Sequence, residues 1–139
     1  MIKQQDSENF FLGRKALITG AAGGIGKVLV ESLRAKGACV AVTDLDTSDL
    51  TAEGYFDGNL LDGKFCDELP KKVADHLGGL DILCNNAGII KRGPITEMTD
   101  KDYSLTMGVN VEAPFRLCRS AIPLMIGSGA IVNLSLIHI

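Results

Sequence analysis

Residues 15 to 26 read Lys-Ala-Leu-Ile-Thr-Gly-Ala-Ala-Gly-Gly-Ile-Gly, a mainly apolar run that leads into a glycine-rich turn and then into a helical pattern. Glycines at positions 20, 24 and 26 can adopt backbone angles closed to other residues and can let another group approach the main chain. A helix that starts there presents free N–H groups and a positive dipole end to an anion. We interpret the turn as a cradle for the pyrophosphate of a dinucleotide. A plain strand-to-helix connection is the alternative, because a short glycine motif alone is a weak indication.

The glycine spacing separates this turn from two related phosphate-binding motifs. The pattern here is Gly-x-x-x-Gly-x-Gly, whereas the common dinucleotide fingerprint is G-x-G-x-x-G. A P-loop is excluded, because no Gly-Lys-Ser/Thr follows and Lys27 precedes Val28.

Three polar features follow where a nucleotide-binding fold needs them. Asp44 ends the apolar run 38–43, and an acid about 20 residues past the glycine turn can bind the ribose hydroxyls. Asn85-Asn86-Ala87-Gly88 follows the apolar run 80–84, and Asn110 lies in a helical stretch, where asparagine has poor propensity. Each has an ordinary alternative: a turn cap, an Asn-Gly turn and a solvated asparagine. Their order along one chain favours the nucleotide-binding interpretation.

The combined pattern resembles that of the classical short-chain dehydrogenases/reductases. It consists of Thr19-Gly20-x-x-x-Gly24-Ile25-Gly26, Asp44, Asn85-Asn86-Ala87-Gly88 and Asn110. The similarity extends over nearly all of residues 10–133. It implies a Rossmann-type fold, an NAD(P) cofactor and hydride transfer between the nicotinamide and a carbonyl or secondary alcohol. It also implies that the full-length parent is a homo-oligomer.

The resemblance implies a role for each matched position. Gly20, Gly24, Ile25 and Gly26 would line the pyrophosphate, and Thr19 belongs to the same cofactor-binding motif. Asp44 would bind the adenosine ribose. Asn59 and Leu60 match the pair at the adenine, with asparagine in place of the family's aspartate. Asn86, Ala87 and Gly88 would lie beside the nicotinamide-side ribose, and Asn110 would be the catalytic asparagine that orders a proton-relay water.

The remaining catalytic positions depart from the family pattern. After Gly129-Ala-Ile-Val-Asn133-Leu-Ser135, the family's serine position falls on Leu136, and no Tyr-x-x-x-Lys pair is present. Ser135 is one residue early, which on a strand directs it to the opposite face. Residues 134–139 also match the in-frame translation of a transposase adapter used in sequencing libraries. We therefore expect residues 1–133 to be the N-terminal part of a single Rossmann domain and 134–139 to be an adapter tail.

Composition places the chain among ordinary globular proteins, with 46% hydrophobic and 22% charged residues. The net charge of −3 gives no reason to expect nucleic acid or an anionic membrane as a partner. The four cysteines include no C-x-x-C pair, and the first residues lack an apolar signal core, so a reducing cytoplasm is expected. His76 and His138 lie far apart in sequence and predict no metal site.

Apolar runs alternate with helical patterns along the chain. We predict strands at 15–19, 38–43, near 54–57, 80–84 and 130–134. Helices are predicted at 24–36, around 63–78 with a break or late start at Pro70, and over 99–126 with a kink at Pro114. Continuous apolar strands alternating with helices predict a parallel, doubly wound α/β sheet covered on both faces and truncated after about the fifth strand.

Charge decides the predicted choice between NAD and NADP. A carboxylate at position 44 would repel the 2′-phosphate of NADP and accept from the free ribose hydroxyls of NAD. Position 23, where NADP-preferring relatives often carry Arg or Lys, is glycine. We therefore predict NAD, with Asp46 as the alternative acid if the second strand runs two residues longer.

Two functions of different classes remain open: an oxidoreductase, and a non-catalytic dinucleotide sensor or scaffold. We expect the genomic sequence beyond codon 133 to encode a serine and then Tyr-x-x-x-Lys, as the family resemblance implies. Sequencing the locus tests this, and a true stop codon after Ile139 would favour the non-catalytic function.

Overall fold

A computed structural model describes residues 9–135 and shows one five-stranded parallel sheet flanked by helices. The strands are β1 Lys15–Thr19, β2 Cys39–Thr43, β3 Gly54–Tyr55, β4 Ile82–Asn85 and β5 Ala130–Asn133. The α-helices are α1 Gly24–Ala35, α2 Gly63–Leu77, α3 Asp100–Met107 and α4 Ala113–Ala121. A π-helical turn at Gly108–Glu112 joins α3 to α4, and short 3₁₀ turns lie at Ile95–Glu97 and Ile122–Leu124. This is the predicted α/β Rossmann-type architecture.

The strand order is β3-β2-β1-β4-β5, so the chain reverses its direction of travel across the sheet between β1 and β4. Loops that leave the carboxyl ends of these two strands diverge and open a crevice, which is where doubly wound sheets bind ligands. The three central strands are aligned residue by residue: Leu17 of β1 pairs with Ala41 of β2 on one side and with Leu83 of β4 on the other.

The sheet is buried on both faces, as the continuous apolar strands predict. Ala16 and Ile18 of β1 pack on the face covered by α1, whereas Leu17 packs on the face covered by α2 and α4. All three side chains are completely buried. The glycine turn therefore begins directly at a strand that is buried on both faces.

Three predicted elements differ in the structure. The strand expected near 54–57 has only two residues, because Phe56 N–H bonds to Val42 but the chain then turns toward the cleft. No break occurs at Pro70: α2 is continuous across this buried residue, since a proline removes a single donor from a 15-residue helix.

The helix expected over 99–126 is interrupted. Pro114 has no N–H to donate to the carbonyl of Asn110, and the N–H of Ala113 bonds instead to the carbonyl of Gly108, five residues back. The predicted kink therefore takes the form of a π-helical turn that contains Asn110.

Among residues 9–135, no helix is both long and apolar enough to cross a bilayer. Residues 136–139, which include the predicted serine position and most of the predicted adapter tail, lie outside the described part of the chain.

The reactivity of the buried thiol of Cys66 is a measure of how tightly α2 packs against the sheet. It is completely inaccessible, and burial raises its pKa to about 11. We expect iodoacetamide at pH 8 to modify Cys66 in the native protein on the order of 100-fold more slowly than a free thiol, because little thiolate is present. Peptide mass spectrometry measures this, with the partly exposed Cys39 and Cys118 as internal controls. Equal rates at Cys66 and Cys39 would contradict the described core.

Candidate active site and dinucleotide cleft

A cleft of about 550 Å³ opens at the carboxyl ends of β1, β2 and β4. Ten of the eleven predicted cofactor-binding residues line it: Gly20, Gly24, Ile25, Gly26, Asp44, Asn59, Leu60, Asn86, Ala87 and Gly88. The fold therefore brings together in one cavity residues that span most of the predicted motif.

Two glycines of the turn are required by the close packing of the main chain and not by a ligand. Gly20 has a φ of +62°, and a Cβ there would lie 2.6 Å from the Cα of Ala87. A Cβ on Gly26 would lie 2.1 Å from the carbonyl oxygen of Gly20. Both distances are far below van der Waals contact, so these glycines let the turn, the start of α1 and the loop after β4 pack backbone to backbone.

Gly24 has a different reason to be glycine. A Cβ at this position would meet no atom within 4 Å, and the residue lies on the wall of the cleft. The N-cap residue of α1, Gly23, supplies no side-chain cap, and the first turn of the helix carries no acidic residue. The positive end of the helix dipole therefore faces a cavity that leaves room for an anion against the main chain.

Asp44 lies directly after β2 and is fixed by two main-chain donors. Its Oδ2 accepts from the N–H of Ala22 at 3.0 Å, and its Oδ1 accepts from the N–H of Leu45 at 2.8 Å. The alternative acid, Asp46, is not among the residues that line the cleft. The N–H of Ser48 bonds to its side chain and lowers the pKa of that carboxyl. The strand ends where the sequence predicted, with Asp44 as the carboxylate at the cleft.

Thr19 is the one predicted cofactor-binding residue that lies behind the cleft, with 1% exposure. Its hydroxyl accepts from the N–H groups of Asn86 at 3.1 Å and Ala87 at 3.0 Å. Asn86 in turn donates its side-chain amide to the carbonyls of Thr19 and Gly20, both at 3.0 Å. Thr19 and Asn86 thus join the glycine turn to the loop after β4.

The adenine end predicted from Asn59 and Leu60 is mainly apolar. The side chain of Asn59 accepts from the N–H of Leu61, which shapes the loop after β3. The rest of this wall could not be predicted from the sequence, because the apolar residues on it carry no motif. These residues are Leu45, Leu61, Ile89, Leu105 and Val109.

Asn110 lines a second cleft of about 450 Å³ next to the first. Its side chain is fully engaged with the backbone of Ile89: Oδ1 accepts from the N–H at 2.9 Å, and Nδ2 donates to the carbonyl at 2.7 Å. The main-chain carbonyl of Asn110 lacks its usual α-helical donor because position 114 is proline. Asn110 therefore fixes the loop after β4 with its side chain.

Ser135 differs from its predicted placement. Alternation along a strand predicts that it points away from the site, but β5 ends at Asn133 and Ser135 lines the same cleft as Asn110. The strand period does not apply beyond the last paired residue. Among residues 9–135, no group of three or more His, Cys, Asp and Glu side chains is arranged to hold a metal ion.

Comparison with known proteins identifies the family. The family model for short chain dehydrogenases matches residues 14–138. The chain is 38% identical over 136 residues to a Thermotoga maritima protein named only as an uncharacterized oxidoreductase, covering 90% of this chain and 54% of that protein. It is 32% identical to D-threitol dehydrogenase of Mycolicibacterium smegmatis, covering 88% of this chain and 52% of that enzyme.

A solved structure shows the same fold. The short chain dehydrogenase of Burkholderia cenocepacia J2315, in complex with NADP, superposes with a TM-score of 0.81 at 30% identity, covering 87% of this chain and 54% of that one. The chain belongs to the short-chain dehydrogenase/reductase family. It spans about half the length of the curated relatives it matches.

Gly26, which packs against the main chain, and Gly24, which faces the cleft, should respond differently to substitution by alanine. We expect Gly26→Ala to lower the unfolding free energy by about 3 kcal/mol or more, because the new methyl group clashes with the main chain. Gly24→Ala should change it by less than about 1 kcal/mol, since nothing occupies that space, yet weaken NADH binding at least about tenfold. Denaturant unfolding and NADH fluorescence titration measure both quantities. Wild-type NADH affinity in Gly24→Ala would contradict the assignment of the anion site.

Proposed function

We propose that the protein to which this chain belongs is an NAD(P)-dependent oxidoreductase that acts on a carbonyl or secondary alcohol, and that this chain supplies its dinucleotide cleft. The observation that carries the proposal is the convergence of Gly24, the uncapped start of α1 and Asp44 on one cavity. Gly24 and the start of α1 suit the pyrophosphate of a dinucleotide, Asp44 suits a ribose, and all of them lie at the carboxyl edge of the sheet.

The residues of the cleft fit the cofactor part by part. The start of α1 would hold the pyrophosphate, and Asp44 would accept from the adenosine ribose hydroxyls. The apolar wall around Leu60 and Leu61 suits the adenine, and the loop from Asn86 to Gly88 would lie beside the nicotinamide-side ribose. The cofactor, when bound, supplies the hydride chemistry, and these residues supply position and electrostatics.

We propose NAD as the preferred cofactor. A 2′-phosphate beside Asp44 would place like charges close together in a partly desolvated site, which disfavours NADP. Gly23, which lines the cleft, supplies no cation to offset that repulsion. The Burkholderia neighbour was solved with NADP, so the proposal rests on Asp44 and not on that neighbour.

We propose Asn110 as the catalytic residue within this chain. Its side chain holds the loop after β4, and its main-chain carbonyl, which has no donor at Pro114, would hold a water in the second cleft. Such a water would pass protons between solvent and the acid–base residues of the complete enzyme.

The substrate is a small molecule that carries a carbonyl or secondary alcohol, and sugars or polyols, acyl-carrier ketones and steroid-like ketones are all candidates. The relative named D-threitol dehydrogenase makes polyols the first class to assay. We place the protein in the cytoplasm, where its four unpaired cysteines would stay reduced.

We further propose that the parent is a homo-oligomer. Four apolar residues at intervals of four are exposed along α3, the π turn and α4: Tyr103 at 65%, Met107 at 38%, Val111 at 51% and Phe115 at 60%. A continuous apolar stripe on a helix surface suits a second copy of the same stripe.

Asp44 is the residue on which cofactor choice depends. We expect Asp44→Ala to weaken NAD binding by roughly 1–3 kcal/mol, the scale of hydrogen bonds to a charged group, and to narrow the preference for NAD over NADP. Titration with both reduced cofactors measures the ratio of affinities.

Two variants control this measurement. Asp44→Asn keeps an acceptor for the N–H of Ala22 but removes the charge, so it should lose discrimination against NADP more than it loses stability. Asp46→Ala should leave both affinities near those of the wild type. A preference for NADP in the wild type, or a change in the ratio only with Asp46→Ala, would refute the role of Asp44.

Catalysis by the 139-residue chain alone gives a separate test. We expect no turnover, because position 136 is leucine and Tyr103 is followed four residues later by Met107 and not by lysine. NADH oxidation with a panel of ketones, and NAD reduction with polyols such as D-threitol, measures this. Robust turnover that depends on Asn110 would show that the catalytic groups are misassigned.

A further inference from the structure

We propose that Asp57 is a positioning residue for cofactor affinity, acting through a clamp between the loop after β2 and the loop after β3. The inference rests on the proposed dinucleotide site. The clamp is the contact of Asp57 with Thr47: Oδ1 of Asp57 accepts from the hydroxyl of Thr47 at 2.5 Å and from its N–H at 3.1 Å. Neither residue lines the dinucleotide cleft.

The clamp fixes the segment that carries the ribose-binding carboxylate. At one end of this segment, the N–H of Gly58 donates to the carbonyl of Asp44 at 2.9 Å. At the other end, Thr47 is held by Asp57 and is 2% exposed. Residues 44–47 are therefore pinned at both ends against two consecutive residues, 57 and 58.

Both joined loops contribute walls of the cleft. Asp44 and Leu45 come from the first loop, and Asn59 and Leu60 from the second. Leu45 is 72% exposed and receives little support from packing, so the hydrogen bonds on either side of it determine where the segment lies. Without the clamp, residues 45–47 gain conformational freedom that cofactor binding must then remove.

The test compares NADH affinity in Asp57→Ala, which removes the acceptor oxygen, with that in a matched control, Asp49→Ala. Asp49 is an exposed aspartate on the same loop as Thr47, with no partner among residues 9–135, and the control makes the same change of charge. We expect Asp57→Ala to weaken NADH binding about tenfold and Asp49→Ala to leave it unchanged. Equal affinity of Asp57→Ala and the wild type overturns the clamp. A wild-type chain that binds no dinucleotide refutes the proposed function instead.

Substitutions at Thr47 test the hydrogen bond to Asp57 without changing the charge of the loop. Thr47→Val removes the hydroxyl donor without changing the charge and should weaken NADH binding, whereas Thr47→Ser keeps the donor and should restore wild-type affinity. If Thr47→Val binds NADH as the wild type does, Asp57 does not act through this contact. These variants also test the clamp should Asp57→Ala fail to fold.

A double-mutant cycle distinguishes positioning from a general loss of stability. In an Asp44→Ala background the carboxylate that the clamp positions is absent, so Asp57→Ala should change NADH affinity by less than about twofold. The same tenfold loss in both backgrounds would show that Asp57 does not act through Asp44, and would overturn the proposal.

Discussion

The approach of two backbone segments at the carboxyl edge of the sheet determines the rest of this site. The turn after β1 and the loop after β4 come so close that no Cβ fits on Gly20 beside Ala87. The buried hydroxyl of Thr19 and the amide of Asn86 join the same two segments by hydrogen bonds in both directions. A single methyl group at position 20 would separate them, and the proposed pyrophosphate and nicotinamide ends of the cleft would then lose their relative placement.

From this contact, the site extends outward in a series of main-chain hydrogen bonds. The carboxylate of Asp44 accepts from Ala22 in the glycine turn, and the carbonyl of Asp44 accepts from Gly58 in the next loop. On the other side, the amide of Asn110 binds both polar groups of Ile89 in the loop after β4. The loops of the cleft are thus held to one another and not only to the sheet, which pre-organises the cavity for a ligand and lowers the entropic cost of binding.

Membership of the family and the proposed preference for NAD rest on different observations. Membership follows from the match over residues 14–138 and from the neighbouring structures. The proposed preference for NAD depends instead on one carboxylate and on the lack of a side chain at Gly23. A neighbour with the same fold was solved with NADP, so the fold alone does not decide this choice.

The sequence by itself determined the order of the elements, the parallel sheet and ten of the seventeen residues that line the cleft, because glycine turns, strand-end acids and apolar runs act locally. It did not determine the π turn at Asn110, since a proline indicates that a helical hydrogen bond is lost and not which bond replaces it. It placed Thr19 among the cofactor-binding residues, whereas only the packed structure shows its hydroxyl turned to Asn86 and Ala87. The apolar wall from Leu105 and Val109, and the contact between Thr47 and Asp57, join segments that are distant in sequence or that follow no motif. Tertiary structure decided these features, because they depend on which loops the sheet brings side by side.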